Sequence, residues 1–462
     1  MLSIHEKQGQ PLYLQIYQQL KEDIRTGKMP AGSRLPSKRK MAAQLNVSVN
    51  TVEGAYGQLL SEGFIRSAPQ RGYFVCDIGE LISLPALPAD ERPQQASAPQ
   101  ADIDFSTSHI SREKFPYNLW RKLLKNSFNE YDPHLLDCPP AKGDPGLREE
   151  IARYLYQARG VHCTAEHVII GAGTDHLMQM VSYLLPNGCT LAMENPVYHT
   201  SSEFFRRMGH GVRFIDVDED GVPPQALQGM DDTALYITPS HQFPLGTSMP
   251  IRRRIQLLNW ASEGKGRYLI EDDYDSEFRY GCRPISSLQS IDHSGRVIYL
   301  GTFSKAVAPS LRISYMVLPP QLLERYHQQY ENFSSAVSGL EQLVLAEFLR
   351  SGAFETHLNR MRNLYRGKRD LLISLLEPWG DAIAIRGENA GHHIPLHLHG
   401  GMSEEEMCRR ALEQRVKVYP ISRYFRGEVP ISCQSTVLLG YAGLTEEQIC
   451  QGVHRLHRAW LE

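Results

Sequence analysis

Five short apolar runs in this chain each break off into polar or turn-forming residues. "HVII" (167–170) leads into Gly171, Ala172, Gly173, Thr174 and Asp175. "TLAM" (190–193) leads into "ENPVYH", "ALYI" (234–237) into "TPSHQFPLG", "RYLI" (267–270) into "EDDYDSEF", and "VIYL" (297–300) into "GTFSK". Runs this short, bounded by turn signals, read as buried strands. Helical patterns lie between several of them, which predicts an α/β fold: a mostly parallel sheet with helices on its faces. Ligands in such folds sit beyond the carboxyl ends of the strands. The five polar segments are therefore expected to converge on one crevice.

That crevice would hold a specific set of groups. Gly171, Gly173 and Thr174 open a helical pattern, "TDHLMQMVSYLL", with Asp175 in its first turn. Glycines before a helix N-terminus present free N–H groups and a positive dipole end, which suits phosphate. Thr302, Ser304 and Arg312 add hydroxyl and guanidinium donors. Tyr198 can lie flat on a planar ring. Asp272 can pair with a protonated ring nitrogen, Tyr274 can bond a phenolic oxygen, and Lys305 is the only amine among them. A phosphate site, a stacking aromatic, a carboxylate and a lysine for a Schiff base together describe pyridoxal 5′-phosphate. Beside a cationic ring and Arg312, Lys305 is expected to have a lowered pKa. Each residue taken singly is more often structural. Their joint order carries the reading.

The first 76 residues are of another kind. "PLYLQIYQQLKEDIRTG" (11–27) has Leu12, Ile16, Leu20 and Ile24 on one helical face. Ser37 and Ser48 are placed to cap two further helices, the second with Val52, Ala55, Tyr56 and Leu59 on one face. Two short helices joined by a tight turn form a helix-turn-helix. "FIRSAPQRGYFV" then reads as a two-stranded wing with Arg71 and Gly72 at its tip. Residues 1–75 carry a net charge of +5 and the remainder −8. A basic head on an acidic body points the head at a polyanion.

Residues 77–101, rich in Pro, Ala, Gln and Ser, predict a flexible linker between a DNA-binding head (1–76) and a body (102–462). The body is expected to end in a smaller part beginning near residue 320. No run of about 18 apolar residues predicts a membrane span, and the N-terminus lacks a secretory pattern. The eight cysteines include no Cys-x-x-Cys pair, so neither a metal site nor a redox motif is expected. Reduced thiols and a cytoplasmic location follow.

"GSRLPSKRKMAAQLNVSVNTVEGAYGQLLSEGFI…RGYFV" resembles the winged helix-turn-helix of the GntR superfamily. The resemblance implies that Arg34, Ser37 and Arg39 meet DNA, with Ser48, Asn50 and Thr51 opening the recognition helix. It also implies that Arg71 and Gly72 reach the minor groove or backbone. Many relatives carry Arg where this chain has Val49, so a bidentate Arg–guanine contact is absent there. From residue 105 to 460, "KGDPGLREEIARYL", "NPVY", "DDYDSEF" and "GTFSKAVAPSLR" resemble, in order, a fold-type I aminotransferase. By that match Asp272 pairs the pyridine nitrogen and Tyr274 the ring hydroxyl. Lys305 forms the Schiff base, Arg312 holds phosphate, and Arg423 of "YPISRYF" takes an effector carboxylate. The family's "N-P-T-G" stands here as "FPLG". Phe243 thus replaces the Asn on the ring hydroxyl, leaving His241 or Gln242 to take its contact, and His241 is expected beside Arg423 at the effector.

Head and body together resemble the MocR family, also called GabR-type regulators. The resemblance implies a transcription factor with a former enzyme as sensor and at most weak transaminase activity. An amine, an amino acid or pyridoxal phosphate itself would act as effector, by external aldimine formation at Lys305. It implies a domain-swapped homodimer whose two heads read two half-sites of a double-stranded operator. Two other readings stay open: a working aminotransferase that carries a head, and a DNA-binding protein whose body is only a dimerisation scaffold.

Overall fold

The computed structural model describes residues 11–79, 101–129, 136–281 and 285–462. Most of the expected linker, 77–101, lies outside the described residues. The chain divides into two compact units, Met1–Ser97 and Ala98–Glu462.

The head consists of α1 (Leu12–Arg25), α2 (Lys38–Leu45), α3 (Val49–Ser61), β1 (Ile65–Ala68) and β2 (Gly72–Val75). Ser37 accepts the Lys40 N–H at 3.3 Å and Ser48 the Thr51 N–H at 3.1 Å. Each cap satisfies a donor that the first helical turn leaves unpaired. Asn46, in the left-handed region at φ 53°, stops α2 and reverses the chain within three residues. The two strands pair antiparallel, with Ile65 opposite Val75. Ile16, Leu20 and Ile24 from α1 meet Val52, Ala55, Tyr56 and Leu59 from α3 in the core.

The body begins with β3 (Ile103–Asp104), α4 (Tyr117–Asn129) and α5 (Pro145–Arg159). Seven strands follow: β4 (Val168–Gly171), β5 (Thr190–Asn195), β6 (Gly211–Asp216), β7 (Thr233–Ile237), β8 (Tyr268–Asp273), β9 (Val297–Thr302) and β10 (Ser314–Val317). They form one sheet in the order β4-β10-β9-β8-β7-β5-β6. The five apolar runs became β4, β5, β7, β8 and β9. Two strands had escaped the sequence reading. β6 lies at the edge and is only partly buried, so it lacks a continuous apolar run. β10 is four residues long and antiparallel to both its neighbours.

The reversed strand matters for the site. Because β10 runs against β4 and β9, its first residue, Ser314, sits opposite Gly171 and Thr302. Arg312, two residues earlier, is thereby delivered to the carboxyl ends of those strands. α6 (Thr174–Leu184) starts from the same end.

A second, antiparallel sheet contains β11 (Ile383–Ile385), β12 (His393–Leu398), β14 (Tyr419–Pro420) and β15 (Thr436–Gly440), and β13 (Val416–Lys417) pairs with β3. One apolar cluster joins Val168 and Tyr315 of the main sheet to Ile394 and Leu439 of the second. The body is therefore continuous through its core. Among the described residues no helix is long and apolar enough to cross a membrane.

Candidate functional site

The carboxyl ends of the strands open into a cleft of about 290 Å³. Thr174, Asp175, Tyr198, Asp272, Tyr274, Thr302, Ser304, Lys305 and Arg312 all line it. Those nine come from four of the polar segments, separated by up to 138 positions. Gly173 lies immediately beneath, as the residue before α6, at φ 95°.

Gly173 shapes one end. A Cβ there would fall 2.2 Å from Arg312 Nη2. Only glycine lets the guanidinium lie against the start of α6, where it and the helix's free N–H groups make a place suited to an anion. Thr302 Oγ1 accepts the Ser304 N–H at 3.1 Å and the Ser314 hydroxyl at 2.8 Å. Arg312 itself has a left-handed backbone, φ 51°.

Lys305 lies in a short helix, Phe303–Ala306, that follows β9. Its ammonium donates to the Thr107 carbonyl at 2.5 Å. Burial brings its pKa down to about 8, against the opposing pull of Asp275. The expected lowering is found, but its cause in this structure is desolvation rather than a neighbouring cation. Asp272, on β8, accepts a hydrogen bond from Tyr236. Burial pushes its carboxyl up to about 7, with Asp273 and Asp275 adding to the rise and the Tyr236 bond opposing it. A buried carboxyl of that kind gains from a cation brought into the cleft, as a protonated ring nitrogen would be. A phosphate cradle, a carboxyl for a ring cation, a hydroxyl and a reactive amine in one cleft fit pyridoxal 5′-phosphate.

Two expected effector residues lie elsewhere. His241 is buried and does not line the cleft; its Nδ1 stands 2.9 Å from both Asp275 Oδ2 and the Tyr274 hydroxyl. A carboxylate only accepts, so Nδ1 carries the proton, and the Tyr274 hydroxyl behind it shares that proton as a second acceptor. Gln242 donates to the Pro196 carbonyl at 2.7 Å and accepts from Leu245 N–H, so it is spent on backbone. Arg423 is exposed on the turn Ile421–Tyr424, its guanidinium 5.6 Å from the Tyr424 ring centre. It is not among the residues lining the cleft. Phe243 does line it, packed edge-on to Tyr274 and Tyr424.

Other lining residues were not singled out from sequence: Thr107, Ser108, Tyr236, Asp275, His392 and His393. Asp275 lies within "EDDYDSEF", a signal that was present. Thr107 and Ser108 lie nearly 200 positions before Lys305 in an ordinary polar stretch, with no signal at all.

On the head, Arg34, Arg39 and Arg71 are exposed, as are Ser37, Ser48 and Asn50. Gly72 sits at φ 103° beside the Arg34 side chain. Thr51 is half-buried, its hydroxyl 2.8 Å from that of Ser48. Among the described residues no cluster of His, Cys, Asp and Glu is arranged to hold a metal ion.

Residues 12–75 match the model of the bacterial regulatory proteins of the gntR family, and residues 105–456 match aminotransferase class I and II. The chain is 41% identical to the HTH-type transcriptional regulator YdeL of Bacillus subtilis, over 97% of each chain. It is 32% identical to the probable rhizopine catabolism regulatory protein MocR of Rhizobium meliloti, over all of this chain and 96% of that one. A Pyrococcus horikoshii kynurenine aminotransferase, solved in complex with PMP, superposes with a TM-score of 0.70 at 25% identity. That likeness covers 79% of this chain and 91% of the aminotransferase. With a gntR-type head on an aminotransferase-type body along its whole length, this chain belongs to the MocR family of HTH-type transcriptional regulators.

Proposed function

We propose that this regulator senses a small amine or amino acid through Lys305, with pyridoxal 5′-phosphate held in the body's cleft. The observation that carries the reading is the meeting of Lys305, Asp272, Tyr274 and Arg312 around one cavity. When bound, the cofactor supplies an electron-withdrawing ring and an aldehyde to which amines add. Arg312, Ser304 and the start of α6 anchor its phosphate. Asp272 keeps a proton on the ring nitrogen, and Tyr274, steadied by His241, bonds the ring hydroxyl. Tyr198, 53% exposed at the mouth, would cover the ring face. Lys305, whose pKa burial lowers to about 8, would carry the cofactor and would give way to an effector amine.

The free Lys305 amine donates to the Thr107 carbonyl, so a lysine released by an effector would gain a contact that a cofactor-bound lysine lacks. An effector shifts a conformational equilibrium only by its differential affinity for the two states, and this exchange supplies such a difference. A homodimer would present two heads to two half-sites on DNA, with the linker setting their reach. Arg423 is a candidate for an effector carboxylate only after its turn moves toward the cleft.

The test is an absorption spectrum of the purified protein with a panel of amines, before and after borohydride. A visible band that borohydride abolishes, shifting with one amine without keto-acid release, supports a sensor. Steady keto-acid production would make the body an enzyme. No band after adding pyridoxal phosphate would make Lys305 structural and the body a scaffold.

A further inference from the structure

Val49 is the first residue of α3, the second helix of the helix-turn-helix, and its side chain is 41% exposed. An exposed β-branched residue at this place has a specific chemical use. The second helix of such a motif enters the major groove and reads bases with its N-terminal residues. The neighbouring positions narrow what is free to read. Thr51 is engaged with Ser48. The Glu53 carboxylate accepts from Lys38 at 2.5 Å. Gly54 and Gly57, further along the exposed face, have no side chains. On this face of the first two turns, Val49 and Asn50 remain. Valine has no donor or acceptor, so its one favourable partner on a base edge is the thymine C5-methyl.

We infer that Val49 reads a thymine methyl in each operator half-site, a hydrophobic contact where a guanine contact would need arginine. The inference rests on the head's DNA-binding role and is independent of what the body senses.

The test uses full-length protein. Bound sequences are first selected from a pool of random duplexes. Each thymine of the enriched site is then replaced singly by deoxyuridine, which differs only in lacking the methyl. Removing one buried methyl should weaken binding about four-fold at one thymine per half-site. Val49→Ala should bind the thymine site about as weakly as the wild type binds the uracil site, and be indifferent to the swap. Its thermal melt should match that of the wild type, since the side chain is outside the core. The inference is overturned if no thymine shows methyl dependence, or if Val49→Ala retains it at the same thymine. A pool that enriches no site would instead overturn the DNA-binding role itself.

Discussion

The two halves of this protein place their chemistry on opposite sides of the surface. Among the described residues of the head, every buried side chain is apolar or aromatic, and the basic groups stand outside: Arg34, Arg39, Lys40 and Arg71. The body does the reverse. Glu194, Glu271, Asp272, Asp273, Asp275 and Glu277 are all buried, with Arg159 and Arg254 among them. A duplex is too large to enclose, so the head meets it with solvated charges that cost nothing to keep. A small planar ligand, as proposed for the cleft, can be enveloped, so its partners wait inside, desolvated. Burial is why Glu194, Glu271, Asp272 and Glu277 are each pushed up to about 7, and why Lys305 falls to about 8. Arg159 steadies the interior through an ion pair to Asp273 at 2.7 Å, both side chains nearly inaccessible.

The contrast can be broken most directly at Lys305. Lys305→Ala should abolish the borohydride-sensitive band and the effector response, while operator affinity stays within about two-fold. A collapse of DNA binding in mobility shifts would show that the halves are not separable. Arg159→Met leaves a buried carboxylate without its partner and should lower the body's unfolding free energy by about 3 kcal/mol. Chemical denaturation followed by tryptophan fluorescence would register it. The exposed pair of Lys21 with Glu62 in the head should show no resolvable loss when Lys21 becomes Met.

The pH dependence of cofactor attachment sharpens the point. Only the neutral amine adds to an aldehyde, and its fraction grows as pH rises through the pKa. With Lys305 near 8, the rate of pyridoxal phosphate attachment should rise about ten-fold from pH 7 to 9 and then level off. A rate still climbing above pH 10 would mark an ordinary solvated lysine. Arg39→Ala should weaken operator binding by about ten-fold or less, reduce its salt dependence, and leave the cofactor spectrum untouched.

The local signals were strong where an element is defined by its own residues. Five of seven main-sheet strands were apolar runs with abrupt ends. The caps Ser37 and Ser48 were visible because a helix start has a chemical signature. The nine sequence-named residues lining the cleft came from the polar segments beyond those strands. His241 and Arg423 were placed by analogy, and the geometry puts one behind Tyr274 and the other on an exposed turn.

What the sequence determined by itself was the alternation of buried strand and polar end, the amphipathic faces of the head, and the charge division between the two. Each depends on neighbours a few positions apart, so each is written locally. Only the tertiary structure decided that Thr107 meets Lys305, that Tyr236 bonds Asp272, and that His392 and His393 wall the cleft. It also decided that β10 runs backwards and so carries Arg312 to the carboxyl ends of β4 and β9. A periodic pattern reports that a face is buried. It does not report what that face is buried against, because the partner arrives from a distant part of the chain.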